Sequence, residues 1–321
     1  MTNFTTVTEF LLTGFAEKWE IRLLLSLLFL LMYLATLTGN ILIISATTVD
    51  QNLHTPMYFF LRNLSILDVC YVSVTVPNAC VNYVTNNWAI SVAGCATQIF
   101  LVIYFAFVEI LFLMFMARDR YVAICQPLHY PVIMNHQFCV RMTLFSLLSG
   151  LLYSGAHTGN VFRLSFCQSN VVQQFFCDVP SLLSLSCSDT FSNFLLLFVS
   201  IIVVGGVSFI FLTISYFHIF STILKFPTRE RGKAFSTCVP HILVVSVFLS
   251  SIAYVYLKPS ATSETIQDMI LSVFYTIVPP FLNPIIYSLR NKQVKEAVRK
   301  LIVFLPESKK FPFQVHPCVA E

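Results

Sequence analysis

The chain has 321 residues, 57% of them hydrophobic and only 11% charged, with a formal net charge of +4. Soluble domains carry about 25% charged residues, so the composition excludes water as the main solvent and leaves little room for a separate soluble domain. The basic residues sit in short loops and in the C-terminal stretch, which speaks against a nucleic-acid partner.

A bilayer crossing takes roughly 20 mostly apolar residues, and seven stretches qualify, at about 23–46, 57–80, 95–117, 142–162, 194–221, 236–257 and 268–289. In lipid the backbone must satisfy its own polar groups, which leaves helix bundles or closed barrels. These runs are too long and too continuous for barrel strands, which alternate over about 10 residues. The expectation is an all-α membrane protein. Its seven-transmembrane helix bundle spans 23–289, between an extracellular N-terminal segment, 1–22, and a cytoplasmic stretch, 290–321. Orientation comes from Lys and Arg: with the N-terminus outside, fifteen fall on the inner side and four (Lys18, Arg22, Arg163 and Lys258) on the outer.

The first 22 residues show no charged segment followed by an apolar core, so the first span is expected to serve as its own insertion signal. Asn3-Phe4-Thr5 is a glycosylation sequon on the expected outer side. Asn63-Leu64-Ser65 also matches but opens the second span, where a glycan has no room.

Asp68 in span two and Glu109 in span three are carboxyls at hydrocarbon depth, and each is a functional candidate by default. Two facing carboxylates could hold a cation, with oxygens from Asn40 and Asn283. The competing reading is a protonated, hydrogen-bonded core pair. Neither residue has the nucleophile partners or metal-ligand spacing of an enzyme, and no metal or cofactor is expected.

Span three ends in Met116-Ala117-Arg118-Asp119-Arg120-Tyr121-Val122-Ala123-Ile124-Cys125. Cys95 and Arg120 lie ~38 Å apart along a helix, so they mark opposite faces of the membrane. An Arg beside an Asp at a helix end can form a local ion pair that breaks to free the Arg, which is a switch design. The plain alternative is a pair of interfacial charges that anchor the helix.

Loops are short except 163–191, between spans four and five. Of the ten cysteines, Cys95, Cys167, Cys177 and Cys187 lie outside or at the outer edge, where disulfides can form. Four cysteines allow three pairings. Cys70, Cys80, Cys125, Cys139, Cys238 and Cys318 read as small buried hydrophobes or free thiols.

Pro284 in span seven removes a backbone hydrogen bond and kinks the helix, so that freed carbonyls and Asn283 can meet polar partners such as Asp68. Beyond it, Val294, Ala297, Val298 and Leu301 fall at helical spacing opposite a basic face. They predict a short amphipathic helix after span seven, on the inner leaflet.

These motifs occur together and in order. They are Gly39-Asn40; Pro56-Met57-Tyr58-Phe59-Phe60-Leu61-Arg62-Asn63-Leu64-Ser65 through Asp68; the Asp119–Cys125 run followed by Pro127-Leu128-His129-Tyr130; Ser215-Tyr216; Lys233-Ala234-Phe235-Ser236-Thr237-Cys238 with His241; and Asn283-Pro284-Ile285-Ile286-Tyr287-Ser288-Leu289-Arg290-Asn291. With them the chain resembles the vertebrate odorant (olfactory) receptors, a branch of the rhodopsin-like class A G-protein-coupled receptors, from about Phe10 to Leu301.

The resemblance implies a Cys95–Cys177 disulfide and a second bridge, Cys167–Cys187. It implies an activation switch built from Asp119, Arg120, Tyr121, Tyr216, His241, Asn283, Pro284 and Tyr287. A plasma-membrane location follows, with coupling to a heterotrimeric stimulatory G protein of the olfactory type and a rise in cyclic AMP. The implied contact surface is the 118–141 loop with the Lys225–Lys233 loop. The ligand is a small volatile, held between spans three, five, six and seven. Here that points to Val102, Ile103, Ala106, Phe107, Ser200, Val204, Ile252, Tyr256 and Val273, any of which could equally be ordinary helix packing.

Three departures stand out. Phe248-Leu249-Ser250 replaces a frequent Phe-Tyr-Gly, Arg118 replaces the residue, commonly Tyr, before Asp-Arg-Tyr, and Pro240 replaces a Ser before His241. A light receptor would need a Schiff-base lysine in span seven, and none lies between Asp268 and Leu289. An amine receptor would need a carboxylate where Val102 and Ile103 stand. A channel or transporter would need a polar path, of which Asp68 and Glu109 offer only a thin one. A rhodopsin-like receptor for a non-odorant metabolite outside the olfactory epithelium shares the same cavity chemistry, and tissue expression separates the two.

Overall fold

The structure is a computed structural model that describes residues 7–167, 169–257, 265–290 and 292–307, some helical residues by their backbone alone. The expected glycosylation site Asn3, Cys318 and the end of the 290–321 segment lie outside the described residues.

In chain order the elements are β1 (Glu9–Leu12), α1 (Trp19–Val49), α2 (Pro56–Thr85), β2 (Ala89–Ser91), α3 (Val92–Cys125), α4 (Tyr130–Ile133), α5 (His136–Val161), β3 (Val171–Val172), α6 (Val179–Ser184), α7 (Phe191–Ser200), a π-helical turn (Ile201–Gly206), α8 (Val207–Ile223), α9 (Thr228–Leu257), α10 (Thr265–Thr276), α11 (Val278–Arg290) and α12 (Lys292–Glu307). Among the described residues six stretches are long and apolar enough to cross a membrane: α1, α2, α3, α5, Phe191–Ile223 and Met269–Tyr287. The remaining crossing is α9, thirty residues long with an apolar centre at His241–Ser250. Together they make the seven-helix bundle that the apolar lengths predict.

The packing is that of a protein dissolved in hydrocarbon. Large apolar side chains face outward, Leu24 and Leu31 at 65% exposure and Leu152 at 78%, while Asn40, Asp68, Glu109 and Asn283 are buried. α3 runs to Cys125, well beyond the predicted end at about 117. Hydropathy stops where lipid stops, whereas the helical hydrogen bonds carry on through Arg118, Asp119 and Arg120. Local chemistry sets the ends. Ser91 Oγ accepts from the Gly94 N–H at 3.1 Å to cap α3, and Asn135 Oδ1 accepts from the Phe138 N–H at 2.8 Å to cap α5. α2 starts on Pro56 and stops at Asn86, which takes the left-handed conformation at φ 54°.

One end of the bundle is closed by chain. β1 lies between β2, to which it is antiparallel, and β3, to which it is parallel. Phe10 and Leu12 alternate inward from it and are buried. Cys95 on α3 is bonded to Cys177, with Cα atoms 5.5 Å apart, and Cys167 to Cys187, 6.0 Å apart. Gln98, one turn below Cys95, accepts from the Cys177 N–H at 2.8 Å and donates to Val74 O at 3.0 Å, so the loop is stitched to α2 and α3. At the opposite end α12 lays Val294, Ala297, Val298 and Leu301 on the bundle, and the Tyr58 hydroxyl donates to Gln293 Oε1 at 2.5 Å.

Span seven is broken at Ile277, between α10 and α11 and just before Pro279-Pro280, and Pro284 lies inside α11. Pro284 has no N–H for the carbonyl four residues back. That carbonyl, Pro280 O, instead accepts from Asn40 Nδ2 at 3.1 Å, and the same amide reaches Thr36 O at 3.0 Å. Gly39 makes the approach feasible, because a Cβ there would sit 2.9 Å from the Pro284 Cβ and Cγ.

Two predictions follow from this architecture, both read by thermal unfolding of the full-length protein in detergent. Cys95→Ser should lower stability by about 2–5 kcal/mol, and adding Cys177→Ser should cost little more, because the two changes remove one bond. Gly39→Ala should cost about 1–3 kcal/mol in the wild type. In a Pro284→Ala background most of that cost should vanish; equal costs in both would show that the ring contact carries no strain.

Candidate functional site

A cavity of 490 Å3 lies between spans three, four, five and six, within the range of small-molecule sites. Ile103 and Ile110 form its α3 wall, Val179 of α6 lies at its disulfide end, and Leu249 of α9 closes the far side. Span five contributes most. There the π turn widens the helix by one residue per turn, a distortion frequent at functional sites, and it brings Ser200, Val204 and the bare backbone of Gly205 and Gly206 to the cavity wall.

The wall is apolar with one polar patch. His157 Nε2 and Ser200 Oγ are hydrogen-bonded at 2.9 Å, and His157 is buried. Tyr153, one turn earlier on α5, lines the cavity beside them and stacks on Phe107 with ring centroids 4.4 Å apart. Such an arrangement holds an apolar ligand by shape and fixes its direction by one hydrogen bond.

Of the sequence-predicted ligand residues, Ile103, Ser200 and Val204 line this cavity. Phe107 stands one layer behind, on Tyr153, and Ala106 packs against the main core. Val102 is half-buried on α3 and does not line it. Val273 packs elsewhere, with Phe29, Val72, Val76 and Tyr83 between spans one, two and seven. Ile252 and Tyr256 lie on the α9 backbone, and their side chains fall outside the described residues. Tyr153, His157 and the Gly205-Gly206 turn went unselected. A histidine within a predicted span is itself a signal at membrane depth, and so is a Gly-Gly pair inside a helical pattern.

A second polar group lies midway along the bundle. Asn283 Nδ2 donates to both oxygens of Asp68, at 3.1 and 3.0 Å. The Asp68 and Glu109 carboxyls are in hydrogen-bonding contact, both fully buried. Glu109 Oε1, Asn283 Oδ1 and Asn40 Oδ1 find no partner among the described residues. Two touching carboxyls cannot both carry charge in a medium of low dielectric unless a cation or a shared proton offsets them. The sequence-predicted cation pair is thus brought together, with spare oxygens around it.

The third group sits at the Asp-Arg-Tyr end. Asp119 is buried and accepts from the Tyr130 hydroxyl at 2.7 Å. Burial and the Asp119 carboxylate push the Tyr130 phenol upward from its ordinary pKa, so it stays a donor. Arg120 points to Met57 Sδ on α2. Adjacent residues on a helix do not face each other, which is why Asp119 and Arg120 find partners on different elements. Tyr121 meets the His218 ring edge-on at 6.1 Å. The Tyr216 hydroxyl and His241 Nδ1 are 2.5 Å apart, joining α8 to α9. Tyr287 is buried on α11, its hydroxyl without a partner among the described residues. In the basic loop, Arg231 Nη2 donates to Leu224 O at 2.9 Å, capping the end of span five.

Known proteins give this arrangement a family. A profile described as olfactory receptor matches residues 29–304. Human olfactory receptor 14C36 is 62% identical over 303 residues, 94% of this chain and 97% of that one. Human olfactory receptor 14I1 is 50% identical over 305 residues, 94% and 98% of the two chains. Among solved structures squid rhodopsin superposes with a TM-score of 0.72 at 19% identity, covering 94% of this chain and 91% of its own, and so shares the fold. The chain belongs to the olfactory receptor family, G-protein-coupled receptors of the cell membrane rather than enzymes.

Proposed function

We propose that this receptor binds small, mostly apolar volatile molecules carrying one hydrogen-bonding group, in the cavity between spans three, four, five and six. Binding activates a stimulatory, olfactory-type G protein and raises cyclic AMP. The observation that carries the reading is the cavity's chemistry: 490 Å3 of aliphatic and aromatic wall with the His157–Ser200 pair set into it. A single methylene is worth about 0.8 kcal/mol, so affinity built from such contacts is modest and tuning is broad.

The N-terminus faces outward with Asn3 glycosylated, the bundle occupies 23–289, and residues 290–321 face the cytoplasm. The 118–141 and Lys225–Lys233 loops meet the G protein. The switch residues Asp119, Arg120, Tyr121, Tyr216, His241, Asn283, Pro284 and Tyr287 rearrange on activation. Support for this comes from the Tyr130 and Met57 contacts of Asp119 and Arg120, which are bonds that can be exchanged. Asp68 and Glu109 hold a cation in the resting state, a role suited to two neighbouring carboxyls with the Asn40 and Asn283 amide oxygens, unpaired among the described residues, close by.

The test is cyclic AMP in cells expressing the chain with the olfactory-type G protein, across a panel of volatiles, with surface expression measured in parallel. A dose-dependent response is expected to oxygenated, lipophilic compounds. Ser200→Ala should weaken potency toward such an agonist by about tenfold, the worth of one buried hydrogen bond, and leave its surface level unchanged. Equal potency on Ser200→Ala and His157→Phe would place the ligand elsewhere. Arg120→Ala should insert normally and stay silent to agonist; ordinary signalling by that variant would sink the switch role.

A further inference from the structure

The cavity has a neighbour. A groove of 680 Å3 runs down the outer side of spans five and six, from Phe209 past Phe217 to Phe220, with Ile242 and Val245 opposite. Phe209 and Leu249 line both the groove and the cavity and stand between them. The groove faces the bilayer: Phe209 is 61% and Phe217 67% exposed. The wall beside this door is thin. Gly205 and Gly206 carry no side chain, and a Cβ built at either would meet nothing within 4 Å.

The disulfide end of the bundle is the opposite case. It is plugged by Val172, Phe175, Phe176 and Leu182, all fully buried, and tied down by Cys95–Cys177 and the β1 strand. Among the described residues, a route from water past Cys95–Cys177 would have to break this packing. A route from the bilayer needs the Phe209 side chain, already half in lipid, to change rotamer.

We infer that ligands reach the cavity sideways, from the hydrocarbon of the bilayer, through the seam between spans five and six, with Phe209 and Leu249 as its door. The inference rests on the cavity being the ligand site, and it narrows the ligand class. Molecules that partition into hydrocarbon are concentrated at the door, whereas a charged molecule is excluded before it arrives. A closed door slows arrival and departure alike, so the side chains that form it set response kinetics and selection by lipophilicity more than equilibrium affinity.

The experiment places a thiol inside the cavity with Ile103→Cys, in the full chain reconstituted in lipid nanodiscs. Its alkylation by lipophilic N-cyclohexylmaleimide is compared with modification by a permanently charged trimethylammonium methanethiosulfonate. Each rate is read by peptide mass spectrometry and normalised to that reagent's reaction with free cysteine. The lipophilic reagent should modify the introduced thiol and the charged one should not. Leu249→Tyr or Gly206→Phe should slow the lipophilic reaction by about tenfold or more, and Phe209→Ala should speed it. Equal access for the charged reagent, rates indifferent to all three door variants, or no modification by either reagent would each overturn the route. The cavity reading is judged separately, by the agonist response of the modified receptor. If the thiol is reached through the door and the response is unchanged, the route stands and the cavity is not the agonist site. If the response is lost after modification from water, the cavity stands and the door falls.

Discussion

The hydrogen bond from Asn40 to the Pro280 carbonyl is the contact on which the rest of the bundle depends. In hydrocarbon an unpaired backbone carbonyl costs several kcal/mol, and span seven, broken at Ile277 and carrying Pro284 inside α11, exposes such groups at depth. The repair comes from another helix, so spans one and seven are locked in register. Gly39 supplies the space and Asn40 the donor. Asn283, beside the kink, then reaches Asp68 on span two, and Asp68 meets Glu109 on span three. Four helices are thereby joined through buried polar groups.

This polar seam lies between the cavity and the Asp-Arg-Tyr end, and the helices that flank it carry residues of both. α3 bears Ile103 at the cavity, Glu109 in the seam and Arg120 at its end. α8 bears Phe209 and Tyr216; α9 bears Leu249 and His241, bonded to Tyr216. A shift of α9 that accommodates a ligand at Leu249 must act on the Tyr216–His241 bond two turns away. In the proposed activation, coupling runs through this shared rigid element with exchangeable contacts at its far end. The Tyr287 hydroxyl, without a partner among the described residues, belongs to the same group, since a buried donor left unpaired favours any rearrangement that supplies a partner.

Most of the fold was legible in the sequence because lipid imposes a length on apolar runs that soluble folds do not require. α12 was legible too, since Val294, Ala297, Val298 and Leu301 recur at helical spacing and do pack on the bundle. The β2-β1-β3 sheet was not. Its strands have four, three and two residues and come from distant parts of the chain, too short for any alternation to be read. The π turn also escaped, because its dihedrals follow from how α7 and α8 meet their neighbours; only Gly205-Gly206 hinted at it. The site was read through the resemblance, which directed attention to spans three, five, six and seven, and so His157 on span four went unselected although it is an ionisable residue within a predicted span.

Leu249 ties these observations together. It replaces the frequent span-six tyrosine of the resemblance, and in the structure it sits where cavity and groove meet. A tyrosine there would add a hydroxyl to the cavity wall and bulk to the door; leucine offers neither. In the proposed site, polar recognition is therefore left to His157, Ser200 and Tyr153 on the opposite wall, so the proposed ligand would turn its polar group toward spans four and five and its hydrocarbon toward span six. The side that must move to open the seam is then the side on which the ligand makes only non-directional contacts. Binding and passage place opposite demands on a wall, tight directional contact against easy displacement, and this chain meets them on different helices.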